Sequence, residues 1–161
     1  MTIRYLIGVG NTLRGDDALG PIVVESVRER IGSATSSLDV RMLTVVAPTP
    51  ELAAEIAAAE RVVFVDVARD GRIGEIICEP IDDDGNELEA TNHLLMTRHG
   101  LDIPTVWRLA LTLYGCQGRS WMVSTGGASF EFADSKLSVE VADRVDEIVR
   151  IVCQLLGLGE R

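Results

Sequence analysis

Apolar positions along this chain fall into two spacings. Ile3 to Val9 is a short apolar run of strand length. From Pro21 to Ile31 the pattern changes to a helical stripe, with Val23, Val27 and Ile31 at i, i+4 spacing. Pro21 belongs to the first turn of that helix, where its missing N–H does no harm. Leu38 to Val46 alternates Leu38, Val40 and Met42 with Asp39 and Arg41, as expected of a half-exposed strand at a sheet edge. Thr49-Pro50-Glu51 reads as N-cap, N1 and N2 of a second helix with Leu52, Ala53, Ile56 and Ala57 on its apolar face. Val62 to Val67 is a β-branched run suited to a strand buried on both faces, interrupted only by Asp66 near its C-terminal end.

The second half continues in the same way. Asp70-Gly71 begins a link to a fourth strand, Glu75 to Glu79. So short a link cannot make a parallel crossover, which predicts an antiparallel fourth strand. Ile103 to Tyr114 carries Val106, Leu109, Ala110 and Leu113 on one helical stripe, and Gly115 is placed to end it. Trp121 to Thr125 is the fifth strand. Ser138 caps a last helix with Val141, Val145, Ile148, Val149, Val152 and Leu156 inward, and the tail from Gly157 to Arg161 is expected to fray. This order predicts one α/β domain over residues 1–161, a three-layer α/β/α sandwich with a mostly parallel sheet.

Composition narrows the function classes. A hydrophobic fraction of 47% excludes disorder, and a net charge of −10 opposes a nucleic-acid partner. Cys78, Cys116 and Cys153 are odd in number and far apart, so buried thiols are expected rather than disulfides or a zinc ribbon. Met1-Thr2-Ile3-Arg4 enters the first strand at once, and no apolar run reaches membrane-spanning length. A cytoplasmic protein without a membrane partner is expected.

The chemistry concentrates in Gly8-Val9-Gly10-Asn11-Thr12-Leu13-Arg14-Gly15-Asp16-Asp17-Ala18-Leu19-Gly20-Pro21, between the first strand and the first helix. Glycines 8 and 10 are read as the tight turn. A dinucleotide fingerprint needs a third glycine at position 13, which is Leu13, and the two carboxylates would repel a pyrophosphate. Asp16 is read as a helix cap and Asp17 as the functional acid. Ligands of such sheets bind at the carboxyl ends of the strands. Asp66 lies at that edge, where a buried carboxylate needs a partner or a metal, or makes a local turn bond. His99, in a polar loop before the third helix, can swing over the same edge, whereas His93 reads as a surface residue. The acidic stretch Asp82-Asp83-Asp84, Glu87, Glu89 reads as a solvated loop.

These pieces together resemble the hydrogenase maturation endopeptidases, which remove the C-terminal extension of the [NiFe] hydrogenase large subunit after nickel insertion. The residues carrying the resemblance are Gly8-Val9-Gly10-Asn11, Gly15-Asp16-Asp17 and Gly20, then Val65-Asp66, then His99-Gly100-Leu101. It implies a phosphorylase/hydrolase-like fold with a mixed five-stranded sheet of order 2-1-3-5-4. It implies Asp17, Asp66 and His99 as both metal ligands and catalytic residues. The nickel would be presented by the partner, a large-subunit precursor, with zinc or cadmium as surrogate occupants of a mixed N/O site. A metal-activated water and a carboxylate general base are both open mechanisms, and a monomer is expected. Two departures stand out: Val46-Ala47-Pro48-Thr49-Pro50 replaces a glycine-rich turn after the second strand, and Ala18 replaces a glycine after the acid pair. The rival classes are a non-catalytic metal-binding maturation chaperone and a phosphoacceptor receiver domain. The receiver would need its acids directly after the first strand and a lysine ending the fifth. Here Asn11 to Gly15 intervene, and the fifth strand ends Ser124-Thr125-Gly126.

Overall fold

Five strands make one sheet in the order β2-β1-β3-β5-β4: β1 (Ile3–Val9), β2 (Asp39–Val45), β3 (Arg61–Ile73), β4 (Ile76–Pro80) and β5 (Arg119–Gly126). β1 pairs in parallel with β2 and β3, β3 pairs in parallel with β5, and β4 runs antiparallel to β5. The helices are α1 (Leu19–Ile31), α2 (Pro50–Glu55), α3 (Ile103–Tyr114), α4 (Val139–Ala142) and α5 (Val145–Leu155). The structure, a computed structural model, describes residues 2–32, 39–82, 101–133 and 135–159.

The predicted sheet order and the antiparallel fourth strand are both present. Strand alternation divides the core in two. Leu6, Val63, Val65 and Val123 face α1, α4 and α5. Tyr5, Ile7, Val62 and Phe64 face α2 and α3. Val62 to Val65 are fully buried, as the unbroken apolar run predicts for a strand between two neighbours and two helical layers. β2 sits at the edge that its alternation indicates. Among the described residues no helix is long and apolar enough to cross a membrane.

The structure corrects several local expectations. β3 does not stop near Asp66 but runs to Ile73. Its register slips between Ala68 and Ile73, which both face Gly126. A Cβ on Gly126 would lie 2.2 Å from the Arg72 carbonyl oxygen. The missing side chain therefore lets β3 cross the end of β5 and return as β4 on its far side. The last helix is two, divided at Asp143-Arg144. The tail is packed through Leu158, which is buried, while Gly157 takes φ +64° and the Leu158 N–H donates to Cys153 O. Arg61 donates to the Leu155 carbonyl at 2.8 Å and Arg4 to that of Leu156, so cations meet the negative end of α5. Cys116 and Cys153 are buried thiols, but Cys78 is exposed because β4 is an edge strand.

Gly8 lies inside β1 rather than in a turn, and its role is close approach. A Cβ on Gly8 would sit 2.3 Å from Gly20 O. A Cβ on Gly20 would sit 2.5 Å from both Val9 N and Val9 O, and 2.7 Å from Val65 O. The first turn of α1 therefore rests on bare backbone of β1 and β3. Gly20→Ala is expected to push α1 off the sheet and cost about 3 kcal/mol or more, read from the urea midpoint.

Candidate active site

The site begins where β1 ends. Gly10 has φ +147°, and a Cβ there would lie 1.8 Å from Asp17 O, so only glycine lets the chain fold back here. The Asn11 N–H donates to Asp17 Oδ2 at 2.9 Å, which fixes the Asp17 carboxylate at the turn. Asp17 is half-buried within a 3-10 turn, Gly15–Ala18, that leads into α1.

Asp66 lies one residue past the last β1–β3 pair, Gly8 with Val65, while its other side stays paired with Ser124 of β5. The departure of β1 therefore opens a notch beside it. In this strand order β1 and β3 flank the point where chain connections diverge to opposite sides, where ligands of such sheets bind. Alternation puts the Asp66 side chain on the face of Val62 and Phe64, the side of α2 and α3. Burial pushes the Asp66 carboxyl up to about 7. The Val67 N–H, which donates to Oδ1 at 2.8 Å, opposes the rise, the negative charge of Asp17 adds to it, and the positive charge of Arg69 opposes it. The Asp17 charge thus reaches Asp66 from the turn that follows the neighbouring strand.

Asp16 is not the helix cap its sequence position indicates. Its carboxylate is fully buried and accepts from Ala128 N at 2.7 Å, Ser129 N at 3.0 Å, Ser138 N at 2.7 Å and Ser138 Oγ at 2.9 Å. Its own N–H donates to Ser129 O at 2.8 Å. Burial opposes ionisation, yet the bonds from Ser138, Ser129 and Ala128 outweigh it and hold the carboxyl below its ordinary range. Asp16 therefore ties the segment after β5 to the turn that carries Asp17. Its partners lie 112 to 122 residues away, so no local pattern reveals them.

His99 and His93 lie outside the described residues. Among the described residues no group of three His, Cys, Asp or Glu side chains is placed to hold a metal. Asp17 and Asp66 supply two hard oxygen donors, which fit part of a mixed N/O site. The direction of α3 bears on the third. Cys116, just past its end, has Sγ 3.9 Å from the carbonyl oxygens of Ile56 and Ala59, and the Arg119 N–H donates to Glu60 O. These groups precede β3, so α3 ends at the amino edge of the sheet. Its 12 residues span about 18 Å, so it starts at the carboxyl edge. Asp102 caps that start, accepting from Thr105 N at 2.8 Å.

The fold and the acid pair at its switch point define an α/β class that solved structures identify. Over nearly its whole length the chain has the fold of [NiFe] hydrogenase maturation proteases. It is 25% identical to the [NiFe] hydrogenase maturation protease HycI from Thermococcus kodakarensis KOD1, with 97% of this chain and 92% of that one covered and a TM-score of 0.70. The hydrogenase 2 maturation peptidase from Thaumarchaeota archaeon SCGC_AB-539-E09 is 24% identical, with 99% and 100% covered and a TM-score of 0.66. The hydrogenase maturating endopeptidase HybD from E. coli is 19% identical, with 98% and 93% covered and a TM-score of 0.69. No protein-family model matches the chain. No curated protein sequence matches it either.

Proposed function

We propose that the protein is an endopeptidase that cuts the C-terminal extension from a nickel-loaded [NiFe] hydrogenase large-subunit precursor. The observation that carries this reading is the pair Asp17, in the turn after β1, and Asp66, on the neighbouring strand β3, at the switch point of a sheet fold shared along nearly the whole chain with maturation proteases. Asp17, Asp66 and His99 would hold the nickel that arrives with the precursor, and that ion would polarise the scissile carbonyl. The placement of α3 favours His99 over His93, because the helix starts at the carboxyl edge only four residues after position 99. His99→Ala should lose nickel binding and cleavage, and His93→Ala should keep most of both. The reverse pattern would move the third ligand to the earlier loop.

The chain's own residues prepare the site in a definite way. The Asn11 N–H holds the Asp17 carboxylate at the turn after β1. Asp66, with its carboxyl pushed up to about 7, shares a proton near neutrality and can take one from an attacking water. A divalent cation arriving between the carboxylates would expel that proton. Nickel affinity is therefore expected to fall as pH drops from 8 to 6, and titration calorimetry in two buffers of different ionisation enthalpy should detect proton release at pH 6. A pH-independent affinity would remove Asp66 from the ligand set.

The decisive assay is incubation with nickel-loaded and nickel-free precursor, read by mass spectrometry of the large subunit. Cleavage of the loaded form alone supports the reading. Nickel binding with an uncut precursor would favour the non-catalytic chaperone.

A further inference from the structure

Two arginines at the rim of the carboxyl edge are held by aromatic rings from the segment after β5. The Arg69 guanidinium carbon lies 4.4 Å from the Phe130 ring centroid, and that of Arg14 lies 5.6 Å from the centroid of Phe132. Both arginines are exposed, and neither forms an ion pair with a carboxylate among the described residues. Stacking holds the guanidinium plane while its in-plane N–H groups remain available to a partner. Phe132 is 67% exposed and Leu13, next to Arg14, is 51% exposed. The four side chains other than Leu13 come in two pairs that flank the acid pair: Arg14 three residues before Asp17, Arg69 three residues after Asp66.

We propose that Arg14, Leu13, Phe132, Phe130 and Arg69 form the surface that grips the substrate polypeptide beside its scissile bond. The guanidiniums take backbone carbonyls and acidic side chains, and Leu13 and Phe132 take apolar ones. This inference rests on the endopeptidase reading and adds the residues that select the chain. Three observations support a polypeptide here. Arg14 lies on the turn that carries Asp17, and Arg69 lies on the strand that carries Asp66, close enough for its charge to act on that carboxyl. The surface's free cationic groups stand out on a chain of net charge −10, whose acid pair would otherwise repel an acidic peptide. Its two halves are fixed to one another, because the Asp16 carboxylate binds Ala128, Ser129 and Ser138 on either side of the phenylalanines. A Cβ on Gly127 would lie 2.5 Å from Phe130 Cζ, so that ring is seated directly on the sheet edge. A rim locked in this way loses little freedom when a flexible tail binds.

The test is steady-state cleavage of nickel-loaded precursor by the wild type and by Arg14→Glu, Phe132→Ala and Arg69→Gln. Arg119→Glu serves as a control at the opposite edge of the sheet. Arg14→Glu and Phe132→Ala are expected to keep the wild-type unfolding midpoint and to raise KM about tenfold with kcat within about threefold, as for lost binding that is equal in ground and transition states. Arg69→Gln should raise KM and also change kcat, because the Arg69 charge acts on Asp66. The control should match the wild type. Rim variants that match the wild type while it cuts normally would overturn the inference and leave the endopeptidase reading intact. The same holds if sedimentation shows Phe132→Ala splitting a dimer while cleavage is unchanged, since the surface would then join two copies of this chain. A wild type that leaves the precursor whole overturns both.

Discussion

Asp66→Asn is expected to abolish cleavage and, at the same time, to make the protein more stable. On the proposed function, loss of the carboxylate would remove the proton acceptor and a nickel ligand, an effect on the order of 10³-fold or more in rate. The gain in stability follows from the direction in which burial moves the carboxyl. The folded Asp66 carboxyl titrates near 7, above its ordinary value of 3.8, so the folded state binds the proton more tightly than the unfolded chain does. Its stabilising contribution is full below about pH 4 and is lost as pH rises through about 7. Asn carries no such charge. Asp66→Asn should therefore equal the wild type near pH 4 and exceed it by roughly 2–4 kcal/mol at pH 8, since each tenfold change in proton affinity is worth about 1.4 kcal/mol. Urea unfolding at both pH values measures this. Asp17→Asn should be equally inactive, but its amide oxygen can still accept the Asn11 N–H, so its stability should stay within about 1 kcal/mol of the wild type. An active Asp66→Asn, or one less stable at pH 8, would contradict the assignment of Asp66 as a strained functional acid. Such a trade of stability for activity is what the proposed role of Asp66 requires.

Local pattern carried the layer architecture far. The unbroken Val62–Val65 run marked the central strand, and the alternation from Leu38 marked an edge. The short link after Asp70 required the fourth strand to reverse, and β4 does so beside β5 rather than beside β3. That detail depends on Gly126 and Arg72, whose contact joins residues 54 positions apart, and no short-range pattern encodes it. The split of the last helix was hidden because Val141 and Val145 keep helical spacing across the break. Gly8 illustrates a different limit. Its motif was visible, but sequence alone could not separate a glycine needed for a turn from one needed to let Gly20 approach. Asp17 and Asp66 were legible because one stands in a glycine-rich turn after the first strand and the other interrupts an apolar run. Arg69 and the phenylalanines were not, because Arg69 lies on the part of β3 beyond its apolar run and Phe130 and Phe132 lie on an irregular segment that follows no period.

Asp16 was the least legible of the important residues, and it gives the second large prediction. A helix cap in this position would contribute about 1 kcal/mol. The observed carboxylate instead accepts four hydrogen bonds in a fully buried setting. Asp16→Asn would keep one acceptor oxygen and turn an NH2 group toward backbone N–H donors, so even in the better amide orientation one buried N–H, that of Ser138, would lose its acceptor and face a donor instead. Bonds to a charged acceptor contribute about 1.5–3 kcal/mol each and are not additive, so a loss of about 3–5 kcal/mol is expected. The pH dependence has the opposite sign to that of Asp66. The folded Asp16 carboxyl sits below 3.8, so its stabilisation is present above the ordinary carboxylate value and disappears as pH falls through the depressed one. The wild type should therefore show an acid unfolding limb that is reduced in Asp16→Asn. Because the same carboxylate anchors the segment bearing Phe130 and Phe132, a surviving folded fraction should also cut precursor poorly, with KM raised. A destabilisation near 1 kcal/mol with cleavage intact would return Asp16 to the role of a simple cap. The larger loss would establish it as the tie between the two loops that shape the cleft.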